Sequence, residues 1–171
     1  FYMLSGMIDT LMLSSVSNQA VGAVGTANTY IGVFIIMFGV ISSGMVAVMT
    51  QNIGAGKPGV AYQARQLGLF FNAVIGVLIS VFMTIFSGKI LETVSIAPAL
   101  LEPAETYLKI VGGACFLNAL IPIFSSYLRV FGYTKQSLFA SIIGNVINFL
   151  LNSVFLFVLN WGVMGVATAT V

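Results

Sequence analysis

Histidine is absent from the 171 residues and cysteine occurs once, at Cys115. Without imidazole there is no ordinary ligand for a zinc or copper centre and no side chain that titrates near neutrality by default. A lone cysteine allows no internal disulfide. Charge is scarce too: Asp, Glu, Lys and Arg together make up 6% of the chain, against roughly 25% in soluble domains. Six basic and four acidic residues leave a net charge of +2. That is too little to neutralise a run of phosphates, so nucleic acid is not an expected partner. No nucleophile stands beside a base and an orienting group, and Gly54-Ala55-Gly56-Lys57 lacks the remaining glycine spacing and the Ser or Thr of a phosphate loop. An enzyme is not expected.

What the chain has instead is apolar surface, at 59% hydrophobic residues and a mean hydropathy of +1.09. The few charges are clustered, leaving uncharged gaps of 47, 23, 19 and 36 residues after Asp9, Arg65, Lys109 and Lys135. About 20 apolar residues, each rising 1.5 Å, cross the hydrocarbon core as a helix. The expected fold is therefore all-α, a polytopic transmembrane helix bundle of about five and a half spans in one domain, residues 1–171. A β-barrel is excluded because stretches such as Ile31 to Val40 do not alternate apolar with polar.

The expected spans are Phe1 to Val16, Ala27 to Thr50, Leu67 to Ser87, Tyr107 to Leu128, Ser137 to Asn160, and a sixth from about Gly162. Gln51 to Gln66, with Gly54, Gly56, Pro58 and Gly59, and Gly88 to Thr106, with Pro98 and Pro103, read as loops outside the membrane. Short turns are expected near Ser17 to Val21 and Gly132 to Gln136, making consecutive helices antiparallel. One side collects Lys57, Arg65, Arg129 and Lys135 without an acid, while the other collects Lys89 and Lys109 with Glu92, Glu102 and Glu105. The positive-inside rule makes the first side cytoplasmic. The chain has no initiator methionine and ends in an apolar run, so it is expected to be a truncated part of a longer protein.

Asp9 is the only carboxylate within an apolar span. An ionisable group at the helix centre costs about 2.5–3.5 kcal/mol on insertion scales, which calls for a compensating role. Tyr2, Ser5 and Asp9 fall within about 60° on a helix, a polar stripe expected to face other helices. A proton or a cation is the expected occupant; the alternative is an interfacial Asp9 held by water. In the fifth span Ser141, Asn145, Asn148 and Asn152 share a stripe about 60° wide. Their oxygens can ligate a hard cation or a substrate's polar group, and their amides can bond a carboxylate on a facing helix. The alternative is packing glue, at about 0.6 kcal/mol per interhelical bond. Gly68, Asn72, Gly76 and Ser80 recur every four residues, as close helix packing requires. In the fourth span Pro122, on a face with Asn118 and Ser125, is expected to act as a hinge or a static kink. The eight methionines and fourteen phenylalanines are expected mostly to face lipid.

Ile8-Asp9-Thr10-Leu11-Met12 with Ala20 to Gly25 resembles the first-helix region of the multidrug and toxic compound extrusion (MATE) transporters. Gln51 to Gly56, Tyr127 to Thr134, Asn145 to Asn152 and Gly165 to Thr170 continue the likeness in order along nearly the whole chain. The resemblance implies a twelve-helix antiporter of two six-helix lobes, exporting organic cations or drugs in exchange for Na⁺ or H⁺, with no other cofactor. This chain would be most of its first lobe, partnered by the bilayer and by the C-terminal half of the same protein in a cell membrane. Asp9 matches the family's first-helix acid, Asn148 and Asn152 its fifth-helix polar pair, and Thr168 a sixth-helix polar position of the cation site. A Na⁺ ion would then be held at Asp9, Asn148 and Asn152. A further acid carried on the fifth helix by some members has no counterpart here.

Two other readings remain. A lipid-linked saccharide flippase of a related branch needs cations in its cavity for a pyrophosphate, and Arg129 is the nearest candidate. A non-transporting membrane scaffold needs Asn148 and Asn152 only for packing, so their replacement by alanine would reduce stability before any transport.

Overall fold

The computed structural model describes residues 2–15, 17–93 and 98–171, and the side chains of residues 2–4 fall outside that description. The described chain is helical throughout: α1 (Tyr2–Ser14), α2 (Asn18–Gly54), α3 (Pro58–Thr93), α4 (Pro98–Gly113), α5 (Cys115–Val130), α6 (Thr134–Ser153), a π turn (Val154–Val158) and α7 (Gly162–Thr170). Three helical stretches, 18–54, 58–93 and 134–158, are each long and apolar enough to cross a membrane, and α4 with α5 make a fourth as a bent pair. Large side chains such as Val40, Leu78 and Ile85 are exposed, the surface expected where lipid replaces water.

Two loops shrink relative to expectation. Gln51 to Gln66 is almost entirely helix, because its breakers work as punctuation: Gly54 ends α2 and Pro58 opens α3, where a missing N–H costs nothing. The turn between them is a Schellman motif. Lys57 N–H donates to Asn52 O at 2.8 Å and Gly56 N–H to Ile53 O at 3.1 Å, with Gly56 at φ +69°. The turn before α6 repeats it, with Tyr133 N–H to Leu128 O at 2.9 Å and Gly132 N–H to Arg129 O at 3.1 Å around Gly132 at φ +83°. Gly88 to Thr106 is likewise mostly helix, with Pro103 inside α4. The 37 residues of α2 span about 55 Å, more than the roughly 30 Å hydrocarbon core, so both long helices pass through the headgroup layers or tilt. At the other end Ser17 caps α2, its hydroxyl accepting Ala20 N–H at 3.3 Å.

The expected single span Tyr107 to Leu128 is broken, and not at Pro122. α4 and α5 meet at 46° around Ala114, while Pro122 lies inside α5. The reason lies on α3. Ser80 Oγ accepts Phe116 N–H at 2.9 Å, capping the first turn of α5 from outside the helix. Asn72 Nδ2 donates to Ala119 O at 2.9 Å and reaches Phe38 O on α2 at 3.3 Å. A methyl group on Gly76 would lie 2.7 Å from Ala119 Cβ, and one on Gly112 2.8 Å from Met83 Cβ. The four-residue repeat is a rail on which the broken helix is seated, and the core of Ile79, Met83, Leu108, Val111 and Cys115 closes around it.

Gly132→Ala should lower stability by roughly 1–2 kcal/mol, the cost of an L-residue in the left-handed region. Gly144→Ala, inside α6 with open space around it, should be neutral or stabilise by up to about 1 kcal/mol. Thermal unfolding of the full-length protein separates the two.

Candidate functional site

The site is built where α1 packs against α6 and α7. Asp9 on α1 is fully buried. Asn152 follows Asn148 by one turn of α6, and both are buried. Directly after Ser153 the helix widens into a π turn closed by Leu159 N–H to Val154 O at 3.0 Å, a distortion frequent at functional sites. Asn160 and Gly162, both at φ +53°, then reverse the chain. Phe155 and Trp161 stack at 5.2 Å across the reversal. Gly165 keeps it tight, since a methyl there would lie 2.8 Å from Phe155 Cβ. α7 thereby returns alongside α6 and brings Thr170 level with Asp9.

Asn152 Nδ2 donates to Asp9 Oδ1 at 2.6 Å and to Asn148 Oδ1 at 3.3 Å, and Asn148 Nδ2 donates to Ala169 O at 3.3 Å. Thr170 Oγ1 lies 2.8 Å from Asp9 Oδ2 and 2.8 Å from Val166 O, so its one proton serves either acceptor. Both carboxylate oxygens therefore meet neutral donors, and among the described residues no cationic side chain pairs with Asp9. The one ion pair among the described residues is Lys109 to Glu105 at 2.8 Å. Asn152 Oδ1 is buried with no hydrogen-bond partner, a costly arrangement that invites a further donor or a cation.

These donors define what the site can take. Among the described residues no three His, Cys, Asp or Glu side chains cluster, so a transition-metal centre has no ligand set. One carboxylate, two carboxamide oxygens and a hydroxyl are hard oxygen donors carrying a single negative charge, which suits a proton or a monovalent hard cation.

Of the residues singled out in the sequence, Asp9, Asn148 and Asn152 come together. Ser141 and Asn145 do not join them. Both are half-buried and bond back along their own helix, Ser141 Oγ to Ser137 O at 2.9 Å and Asn145 Nδ2 to Ser141 O at 2.8 Å. Thr168 is exposed and its hydroxyl bonds Met164 O at 2.8 Å. Two residues further along, Thr170 supplies the α7 hydroxyl that meets Asp9, while Thr168 bonds within its own helix. The Tyr2 side chain expected beside Asp9 lies outside the described residues, and Ser5 is half-buried. Sequence reasoning missed Tyr107, which is fully buried and donates to Asn28 Oδ1 at 3.1 Å. This pair ties α4 to α2 next to α1, where Gly6 faces Asn28 Nδ2. Nothing in the spacing distinguishes Tyr107 from the other five tyrosines.

A protein-family model described as MatE matches residues 1–154. The chain is 35% identical over 173 residues to a Bacillus subtilis protein described as an uncharacterized transporter, YisQ, covering 99% of this chain and 38% of that protein. It is 28% identical over 185 residues to a Thermotoga maritima protein described as probable multidrug resistance protein NorM, covering 99% of this chain and 37% of that one. Among solved structures, the inward-facing conformation of a multidrug resistance MATE family transporter of the MOP superfamily superposes with a TM-score of 0.91 at 22% identity, covering 99% of this chain and 39% of the other. The chain thus spans under two fifths of the length of these relatives.

Proposed function

The chain belongs to the MatE family, and on that premise we propose that it is the first lobe of a secondary antiporter exporting organic cations or drugs in exchange for Na⁺ or H⁺ across a cell membrane. The remaining C-terminal half of the same protein would complete the pathway. One observation carries the reading: Asp9 is buried between Asn152 and Thr170, with no cationic side chain among the described residues to neutralise it. In a medium of low dielectric such a charge needs a mobile counter-charge.

The geometry supports a simple coupling. While Asp9 is a bare carboxylate, Asn152 and Thr170 give it charge-assisted hydrogen bonds, the stronger kind, and so hold α1 to α6 and α7. A proton or Na⁺ on the carboxylate removes that advantage, and Na⁺ would also draw in Asn152 Oδ1 and Asn148 Oδ1. Occupancy then changes how firmly α1 is held, and an ion that binds two lobe conformations unequally shifts their populations. Arg129, the candidate of the flippase reading, donates to Ser126 Oγ at 2.8 Å in the last turn of α5 and lies outside the Asp9 cluster.

The test is efflux of a fluorescent organic cation from vesicles holding the full-length protein under an imposed Na⁺ or H⁺ gradient. Dependence on either gradient supports the antiporter; efflux indifferent to both removes it. Thr170→Ala and Thr168→Ala sharpen the test. A hydrogen bond to a charged group is worth about 1.5–3 kcal/mol, so the first should weaken gradient-driven efflux about tenfold or more. Thr168→Ala should leave it unchanged.

A further inference from the structure

The end of the bundle where α2 meets α3 and α5 meets α6 carries Lys57, Arg65, Arg129 and Lys135 and no acid, because Asp9 lies in α1 and Glu92, Glu102 and Glu105 lie at the opposite ends of α3 and α4. Arg65 is the unusual member. Its guanidinium carbon lies 4.5 Å from the centroid of the Tyr62 ring and 4.9 Å from that of Tyr127. Tyr127 is in turn packed on Phe131, with centroids 4.9 Å apart. The two rings bridge α3 and α5 and hold the guanidinium in a fixed orientation by cation–π attraction. Neither contact uses its N–H groups, and Nε is buried without a hydrogen-bond partner.

A guanidinium held against two rings with Nε buried leaves its two terminal NH₂ groups as the donors that can meet two oxygens of one phosphate. Depth selects the source of the phosphate. The 36 residues of α3 span about 54 Å, so an even overhang leaves about 12 Å beyond the hydrocarbon at each end. Arg65 lies about 10 Å from the start of α3, at the border between acyl chains and headgroups. Tyrosine rings favour that border, and Tyr62 is half exposed there, with Leu67 and Phe70 exposed further along α3. We propose that Arg65, clamped between Tyr62 and Tyr127, binds the phosphate of an anionic membrane lipid at the lysine- and arginine-rich end of the lobe. The site depends on membrane insertion and is independent of the ion site at Asp9.

The experiment uses the full-length protein exchanged into phosphatidylcholine bilayers containing a minor fraction of phosphatidylglycerol, with retained lipids counted by native mass spectrometry. Wild type should retain phosphatidylglycerol in preference to phosphatidylcholine, and Arg65→Gln should reduce that preference about tenfold or more, the loss expected for a charge-assisted contact to phosphate rather than for one diffuse surface charge. Arg65→Lys should fall below wild type because an ammonium lacks the planar fork, and Tyr127→Leu should fall because the clamp loses one ring. These two variants carry the test if Arg65→Gln does not fold. Lys135→Gln, which keeps the clamp, should change retention by about fivefold or less, the share of one diffuse surface charge. Undiminished retention in Arg65→Gln, or in both Arg65→Lys and Tyr127→Leu, would overturn the proposal. So would an equal loss in Lys135→Gln, which means diffuse surface charge, or displacement of the lipid by inorganic phosphate, which means a soluble anion.

Discussion

Asp9→Asn in the full-length protein should remove gradient-driven efflux while leaving the protein inserted and folded. The amide is isosteric with the carboxylate. It can still accept from Asn152 or Thr170, which lie at 2.6 Å and 2.8 Å from the two carboxylate oxygens, so α1 keeps its packing partners. What it loses is the negative charge and the ability to take up a proton or to hold Na⁺ ionically. Site-to-site couplings typically amount to about 1–3 kcal/mol, or roughly 5- to 150-fold, and an ion that no longer binds contributes none of it. Imposed Na⁺ and H⁺ gradients should therefore drive efflux no faster than in protein-free vesicles. A variant that transports like wild type would remove Asp9 from the coupling.

The second large effect is structural. Gly76→Val should strip the protein of most of its folded population, because the added atoms would enter space held by Ala119 Cβ at 2.7 Å and by the Phe116 backbone at 3.0 Å. Neither can yield, since Phe116 N–H is fixed on Ser80 and Ala119 O on Asn72. Overpacking costs about 1–3 kcal/mol where neighbours can shift, and here separating α3 from α5 would also leave the Asn72 and Ser80 groups unpaired. Gly39→Val, on α2 where nothing lies within 4 Å, is the control and should change stability by about 0.5 kcal/mol or less. Fluorescence-detected size-exclusion chromatography of the two variants should show loss of the monodisperse peak for Gly76→Val alone.

These two positions differ in how readable they were. Asp9 was legible because a carboxylate in an apolar run of this length has few acceptable environments, and Asn148 and Asn152 because two amides one turn apart need partners. Ser141 and Asn145 lie on the same stripe but do not meet Asp9. A residue on the correct face still reaches a facing helix only where that helix is level with it, and these two satisfy themselves on the preceding turn of α6. Thr168 and Thr170 are two residues apart on a nine-residue helix, and which one faces Asp9 depends on the rotation set by the π turn and the reversal at Asn160 to Gly162. No local pattern encodes that rotation.

The breakers were misjudged for a related reason. Gly56 and Pro58 read as parts of a loop in the sequence, yet Gly56 closes a turn of minimal length and Pro58 starts a helix. Pro122 is accommodated within α5, while the 46° bend falls at Ala114, where α3 supplies the cap that a broken helix needs. The rail of Gly68, Asn72, Gly76 and Ser80 was legible as close packing, but its role in seating a break in another helix depends on long-range contacts.

The most direct measurement of the proposed ion site is infrared difference spectroscopy of the full-length protein on adding Na⁺ or lowering the pH, in wild type and in Asp9→Asn. A carboxyl band that shifts or appears with the cation in wild type and is missing from the variant is the predicted result. Identical difference spectra from the two proteins would contradict it.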